Sequence, residues 1–308
     1  MKQCLVLLSA CLLLVNSYSQ EQVTITSDSL QLYGTLLHPE NAKTLVVLVS
    51  GSGNTDRDGN SLMGQTKLEN NSLKMVAEQL YQNDFASLRY DKRGVGKSIN
   101  LSVNENELRF ESYVKDLVAW IEYLSPKYEE IVLAGHSQGA LVAILAAQRA
   151  QVDKIITLAG LSNSAYQTLK EQLSNQPKFV SDQALPILEE INQGKKVDSI
   201  PPYLMSVFRP DIQEYLISFL QYDPKEEIKK LNIPVLIIQG TTDIQINVKD
   251  SKQLAESYNK AKLVIINEMN HILKKAVADR NKNFETYNDP ELALHPELMG
   301  AIMTFIKR

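Results

Sequence analysis

The stretch Gly135-His136-Ser137-Gln138-Gly139 sets a serine between two glycines, directly after the apolar run 131–134 and directly before the alanine-rich stretch 140–150. A strand that turns sharply into a helix at this pattern holds the serine hydroxyl above the sheet edge, and Gly135 and Gly139 stand where side chains would clash as strand and helix close up. A serine hydroxyl is a poor nucleophile until a base takes its proton. Ser137 therefore calls for a histidine oriented by an acid, a set that performs acyl transfer.

The chain has four histidines. His136 adjoins Ser137 on the tight turn and is expected to point away from the hydroxyl. His38 and His295 each precede a proline, in positions that suit packing or surface roles. His271 follows the apolar run 262–266 and a short polar stretch, which places it in the loop beyond the last strand. Loops at the carboxyl ends of parallel strands build sites, so His271 is assigned as the base. The acid is expected between serine and histidine in chain order. Asp243 fits, a few residues past the run 234–239 and the turn at Gly240; Asp250 is the rival but falls within the next helical pattern.

Acyl transfer also needs donors for a developing oxyanion. The backbone N–H of Gln138, next after the nucleophile, is one. The second is sought in the glycine-rich segment after the run 44–50, Gly51-Ser52-Gly53-Asn54, where Ser52 is the choice. That loop lacks the Gly-Lys-Ser/Thr ending of a phosphate-binding loop. Asp56, Arg57 and Asp58 beyond it form an ion-paired brace for the loop, or Arg57 meets an acidic group of the substrate; the brace is favoured. No metal and no organic cofactor is called for.

These residues need a scaffold. Short runs rich in β-branched residues at 44–50, 85–90, 131–134, 154–158, 234–239 and 262–266 alternate with amphipathic stretches such as 72–81, 112–123 and 140–150. Near-continuous apolar strands alternating with helices predict an α/β fold, a mostly parallel central sheet with helices on both faces. Residues 23–37 alternate with period two around Ser27-Asp28-Ser29 and predict an edge hairpin. Between about 161 and 231 no strand pattern occurs. That stretch predicts a helical cap inserted into a single domain spanning 20–308.

The chain of 308 residues carries 32 basic and 36 acidic side chains, a net charge of -4, and has no basic block, which speaks against a nucleic-acid partner. Both cysteines, Cys4 and Cys11, lie in the first eleven residues, within a start of one lysine, about a dozen apolar residues and small residues at Ser17 and Ser19. Residues 1–19 therefore predict a cleaved signal peptide and a secreted or periplasmic protein without thiols; a lipoprotein anchor on Cys11 is the lesser alternative. The apolar run is too short to span a membrane, which takes about 20 residues.

Taken together, residues 50–59 (Ser-Gly-Ser-Gly-Asn-Thr-Asp-Arg-Asp-Gly), residues 89–98 (Arg-Tyr-Asp-Lys-Arg-Gly-Val-Gly-Lys-Ser), Gly-His-Ser-Gln-Gly at 135–139, Gly-Thr-Thr-Asp at 240–243 and Asn270-His271 resemble the α/β-hydrolase superfamily. More narrowly they resemble bacterial carboxylesterases grouped with serine aminopeptidase-like hydrolases. One departure is Ser50-Gly51, where His-Gly is common. The resemblance implies hydrolysis of a small-molecule carboxylic ester, with Asp91, Arg93, Gly94 and Gly96 fixing the fold near the site. The alternatives are a thioester or an amide; an aminopeptidase-like enzyme would use Glu189 and Glu190 to hold a free amino group. Tyr203, Met205, Phe208, Tyr215 and Phe219 offer an apolar pocket lining in the cap.

Overall fold

The computed structural model describes residues 20–63, 66–99 and 105–308, so the signal peptide read at residues 1–19 lies outside the described residues. The edge hairpin forms as its alternation predicts. β1 (Gln20–Ser27) and β2 (Leu30–Leu37) pair antiparallel around Asp28 and Ser29, whose φ angles are 46° and 66°. Two consecutive residues in the left-handed region give the turn the twist that matches the strands.

β3 (Thr44–Val49), β6 (Ala86–Tyr90), β7 (Glu130–His136), β8 (Lys154–Leu158), β9 (Val235–Gly240) and β10 (Ala261–Ile266) follow in the main sheet. A separate small hairpin, β4 (Ser61–Met63) with β5 (Thr66–Leu68), lies outside it. The eight-stranded sheet runs β1-β2-β6-β3-β7-β8-β9-β10; all pairings from β6 onward are parallel, and β2 joins β6 antiparallel. The mostly parallel α/β sheet expected from the alternating runs is the one observed.

Successive strand residues face opposite sides. Leu45, Val47 and Val49 accordingly enter one core layer with α2 (Phe110–Leu124) and α3 (Gln138–Ala147), while Val46 and Leu48 enter the other with α1 (Ser72–Tyr81) and α11 (Pro296–Ile306). Every residue of α3 from Gln138 to Ala146 is buried. A helix apolar after its first residue suits that position, because α3 packs against β7 on one side and against α2 and α8 (Pro224–Ile228) on others.

The chain between β8 and β9 is helical: α4 (Ala165–Ser174), α5 (Lys178–Asn192), α6 (Met205–Phe208), α7 (Gln213–Leu220) and α8, with no strand among the described residues. α5 starts at Lys178, where Pro177 ends the preceding turn and its carbonyl accepts from the N–H groups of Val180 and Ser181. Ala184, Leu188, Ile191, Phe208 and Phe219 join the α2/α3 core layer, so the insertion shares the core of the sheet. The rings of Phe110 and Phe219 lie 4.7 Å apart across this junction. α9 (Val248–Glu256) and α10 (Arg280–Glu285) complete the elements near the site, each started by a side-chain cap, Asn247 and Asp279.

Candidate active site

Ser137 is the hinge between β7 and α3, with φ 52° and ψ -122°, a backbone region that non-glycine residues avoid. Neighbours hold it there. Its N–H donates to the Leu158 carbonyl at 3.0 Å, and its own carbonyl accepts from Ala140 at 3.1 Å and Leu161 at 3.3 Å. A Cβ at Gly135 would collide with the backbone of Gly139 and Ala140, and one at Gly139 with the Val49 carbonyl. The two glycines are thus required by the close approach of helix and strands.

His271 and Asp243 come together as chain order suggested. Nδ1 of His271 lies 2.9 Å from Oδ2 of Asp243, and both side chains are buried. Asp243 is itself fixed by N–H donors from Gln239 (Nε2, 3.0 Å), Gln245 (backbone, 2.8 Å) and Ile246 (backbone, 3.0 Å). Burial pushes the Asp243 carboxyl up, but the His271 ring and the amides of Ile246 and Gln245 outweigh it and hold the carboxyl below its ordinary range. Asp250, the rival acid, sits in the first turn of α9, where its N–H bonds the cap Asn247 at 2.8 Å. The His271 loop is anchored from below by Asn270, wholly buried, which donates to Thr286 Oγ1 (2.8 Å) and accepts from the Lys274 N–H (3.0 Å).

No hydrogen bond joins Ser137 Oγ to His271 among the described residues; hydrogen bonds of this kind commonly tighten only when substrate is bound. What ties the serine turn to the histidine loop is His136. Its Nε2 lies 2.8 Å from the His271 carbonyl, and the two imidazoles are 4.9 Å apart. A carbonyl only accepts, so His136 carries its proton on Nε2. Burial, reinforced by His271, pushes the His136 ring down to about 4.

Ser52 and Gln138 line one cavity of about 400 Å³ together with Ser137. As the first residue of α3, Gln138 has no carbonyl a turn behind it for its N–H, which leaves that donor for a ligand. The Ser52 loop is pinned by its carbonyls. Buried Lys92 donates to the carbonyls of Gly51 and Gly53, the latter at 3.0 Å, and Thr55 Oγ1 donates to that of Ser52 at 2.7 Å. In a trans peptide the C=O and N–H point in opposite directions. By gripping the Gly51 carbonyl, Lys92 therefore aims the Ser52 N–H away from itself. Burial drives the Lys92 ammonium down to about 7 against the pull of Asp56 and Asp91.

The segment at 56–58 is a brace, and Arg57 does not line the Ser137 cavity. Arg57 is buried and bonds Asp91 through Nη2 (2.6 Å) and its own N–H (2.9 Å), while Asp58 pairs with Arg89. Asp91 also accepts from Lys97, and a Cβ at Gly96 would strike its carboxylate. Arg93 pairs with buried Asp116 (Nε to Oδ2, 2.7 Å).

The expected pocket lining needs correction. Tyr215 and Phe219 do line the cavity with Leu161, Leu169 and Leu216, and Gln138 Nε2 donates to the Tyr215 hydroxyl at 2.6 Å. Phe208 is wholly buried in the core, whereas Tyr203 and Met205 are exposed. His38 bonds the Tyr128 hydroxyl (2.9 Å) and His295 caps α11, both away from Ser137. Glu189 bonds Tyr166 and Gln193, and Glu190 pairs with Lys195; neither lines the cavity.

The family described as serine aminopeptidase, S33, matches residues 69–275, a stretch that runs from the start of α1 past His271. The chain belongs to this family. Against other proteins, this S33 chain is 25% identical over 273 residues to the esterase EstD of Thermotoga maritima; the match covers 83% of the chain and 60% of that relative's length. Among solved structures it resembles Est1E of Butyrivibrio proteoclasticus with ferulic acid bound (TM-score 0.61, 21% identity, covering 92% of this chain and 98% of the other). It also resembles the Pyrococcus furiosus esterase Pf2001 (TM-score 0.56, 16% identity, 95% and 91%). Both show that the sheet and its surrounding helices form an α/β-hydrolase fold. His136 and Lys92 are the two participants that sequence patterns did not single out for the site; both act through contacts to residues remote in the chain.

Proposed function

We propose that this S33-family protein hydrolyses carboxylic esters, with Ser137 as nucleophile, His271 as general base and Asp243 as the acid that orients it. The observation that carries the reading is the 2.9 Å contact between His271 Nδ1 and Asp243 Oδ2, beside a serine held on a strained turn that opens into a cavity. Asp243 keeps the His271 proton on Nδ1, so Nε2 is free to take the Ser137 proton as Oγ attacks the ester carbonyl. The N–H groups of Ser52 and Gln138 hold the resulting oxyanion. The C–O bond to the alcohol then breaks, and His271 returns the proton to the leaving oxygen. Water, deprotonated by His271, attacks the acyl-Ser137 carbonyl; the bond to Ser137 Oγ breaks, His271 returns the proton to Oγ, and the carboxylic acid leaves.

An esterase name on the Thermotoga maritima relative agrees with this reading. Aminopeptidase action through Glu189 and Glu190 is disfavoured by where those residues sit, since both are committed to neighbours outside the cavity. Turnover of p-nitrophenyl butyrate against an aminoacyl-anilide tests the choice. Ester turnover that Ser137→Ala abolishes supports the proposal, and wild-type turnover by the Ser137→Ala protein would refute it. Export through residues 1–19 is part of the same proposal, tested by sequencing the amino terminus of the protein recovered from a bacterial periplasm.

A further inference from the structure

Gln239 is the one polar side chain on β9, and it is wholly buried. A buried amide costs free energy unless its polar atoms find partners. Here they do. Nε2 donates to Asp243 Oδ2 and to the Ile246 carbonyl, each at 3.0 Å, and Oε1 accepts from Ser251 Oγ on α9 at 3.1 Å. Ser162 Oγ stands 3.4 Å from Ser251 Oγ, and both serines are buried. Turned over, the amide would set its oxygen against a carboxylate and a carbonyl, neither of which donates, so these partners settle its orientation.

The Asp243 carboxylate is thereby gripped at both oxygens. Oδ1 accepts from the N–H groups of Gln245 and Ile246, while Oδ2 accepts from Gln239 and lies 2.9 Å from His271 Nδ1. The last torsion of an aspartate is broad, so the bonds at Oδ1 alone would let the carboxyl plane turn. The amide at Oδ2 fixes that plane, and with it the direction of the His271 ring. Neither Gln239 nor Ser251 lines the Ser137 cavity.

We propose that Gln239, itself held by Ser251, is a positioning residue for ester hydrolysis: it fixes the Asp243 carboxylate and so aims His271 Nε2 at Ser137. The proposal rests on the esterase reading of Ser137, His271 and Asp243. A misplacement of about 1 Å at a reacting group costs roughly 10²-fold in rate, so a small turn passed through two side chains is enough to matter. The charged groups that face Gln239 are Asp243 and, beyond it, His271; α9 and the loop after β8 present the hydroxyls of Ser251 and Ser162.

The test measures p-nitrophenyl butyrate turnover by Gln239→Met, Gln239→Glu, Ser251→Ala and the Gln239→Met/Ser251→Ala double variant. Methionine fills the space of glutamine without donating, and a kcat about tenfold lower with KM within about twofold is expected, because the Ser137 cavity is unchanged. Ser251→Ala is expected to lower kcat about threefold in the wild-type background and not at all beside Gln239→Met, since its effect passes through Gln239. In Gln239→Glu, burial and the Asp243 charge favour the protonated form of the introduced carboxyl, which donates to Oδ2 as the amide did. Its kcat relative to wild type is therefore expected to rise as pH falls from 9 to 6, while that of Gln239→Met stays level. Gln239→Glu keeps the shape of the amide and decides alone where Gln239→Met does not fold. A Gln239→Met protein with wild-type kcat, a Ser251→Ala loss equal in both backgrounds, or a level Gln239→Glu ratio overturns the proposal and leaves the esterase reading intact. Absence of Ser137-dependent turnover in the wild-type protein overturns both.

Discussion

The Nε2 of His136 lies 2.8 Å from the carbonyl oxygen of His271, so the residue before Ser137 holds the loop that carries His271. Ser137 and His271 belong to different strand ends, and nothing covalent sets their spacing. This bond, with the rings 4.9 Å apart, sets it.

His136→Phe keeps the ring's packing and removes the donor, leaving the His271 carbonyl unpaired at a cost of about 1–3 kcal/mol. Expected is a fall in kcat of roughly tenfold or more with KM little changed, since the ester-binding walls are untouched. The pH dependence of stability offers a second readout. The folded His136 stays neutral down to about 4, whereas the unfolded ring protonates near pH 6.5. Between those values the unfolded state binds the extra proton, so stability rises with pH across the window. Urea unfolding at pH 4.5 and pH 7 is expected to show a smaller difference in the Phe variant. An unchanged difference together with an unchanged kcat would remove His136 from the site.

Lys92 supports the prediction that concerns the oxyanion loop. Lys92→Met fills similar space but no longer grips the Gly51 and Gly53 carbonyls, so the Ser52 N–H loses its fixed direction. Loss of one oxyanion donor costs about 10²–10³ in kcat, and a loosened donor is expected to cost roughly tenfold or more. The groups that face Lys92 are Asp56, Asp91, His136 and the Tyr113 ring. With its ammonium pushed down to about 7, the folded protein has shed a proton that the unfolded chain keeps up to about pH 10.4. Stability supplied through Lys92 therefore rises with pH between about 7 and 10. Denaturation midpoints at pH 7 and pH 9.5 are expected to converge in the Met variant. A variant with the wild-type slope and the wild-type kcat would show that the clamp does not act.

The parts of this molecule that sequence made legible are those with a local signature. β3, β7 and β9 are buried on both faces, so they appear as unbroken apolar runs, and β1 shows its single buried face as alternation. Ser137 was legible because the close approach around it forces glycine at 135 and 139. The meeting of Asp243 and His271 followed from chain order along a parallel sheet. His136 and Lys92 carry no such mark, since their contacts join residues 135 and 41 positions apart. Tyr203, Met205 and Phe208 were misplaced for a related reason. Short helical turns have too few residues for periodicity to tell which side faces the cavity, and here Phe208 turns to the core while the other two face out.

Asp243→Asn tests the assignment of the acid most sharply, because the substitution preserves shape and changes only which atoms donate. The backbone N–H groups of Gln245 and Ile246 both donate to Oδ1, so an asparagine would keep its carbonyl there and turn its NH₂ toward His271. That NH₂ would donate to Nδ1, the ring proton would move to Nε2, and the lone pair needed to take the Ser137 proton would face the wrong way. A loss of roughly 10⁴ in kcat is expected, as for the wrong tautomer in other serine triads. Stability should respond in the same sense as for His136, rising with pH, but in a more acidic window. The Asp243 carboxyl titrates below its unfolded value of about 3.9, so the ionised form contributes stability above that pH and loses it as pH falls through the folded value. Acid unfolding below about pH 4 is accordingly expected to be shallower in the Asn protein. An Asp243→Asn protein that keeps near wild-type kcat would transfer the role to another acid, with Asp250 on α9 the first to examine by the same substitution.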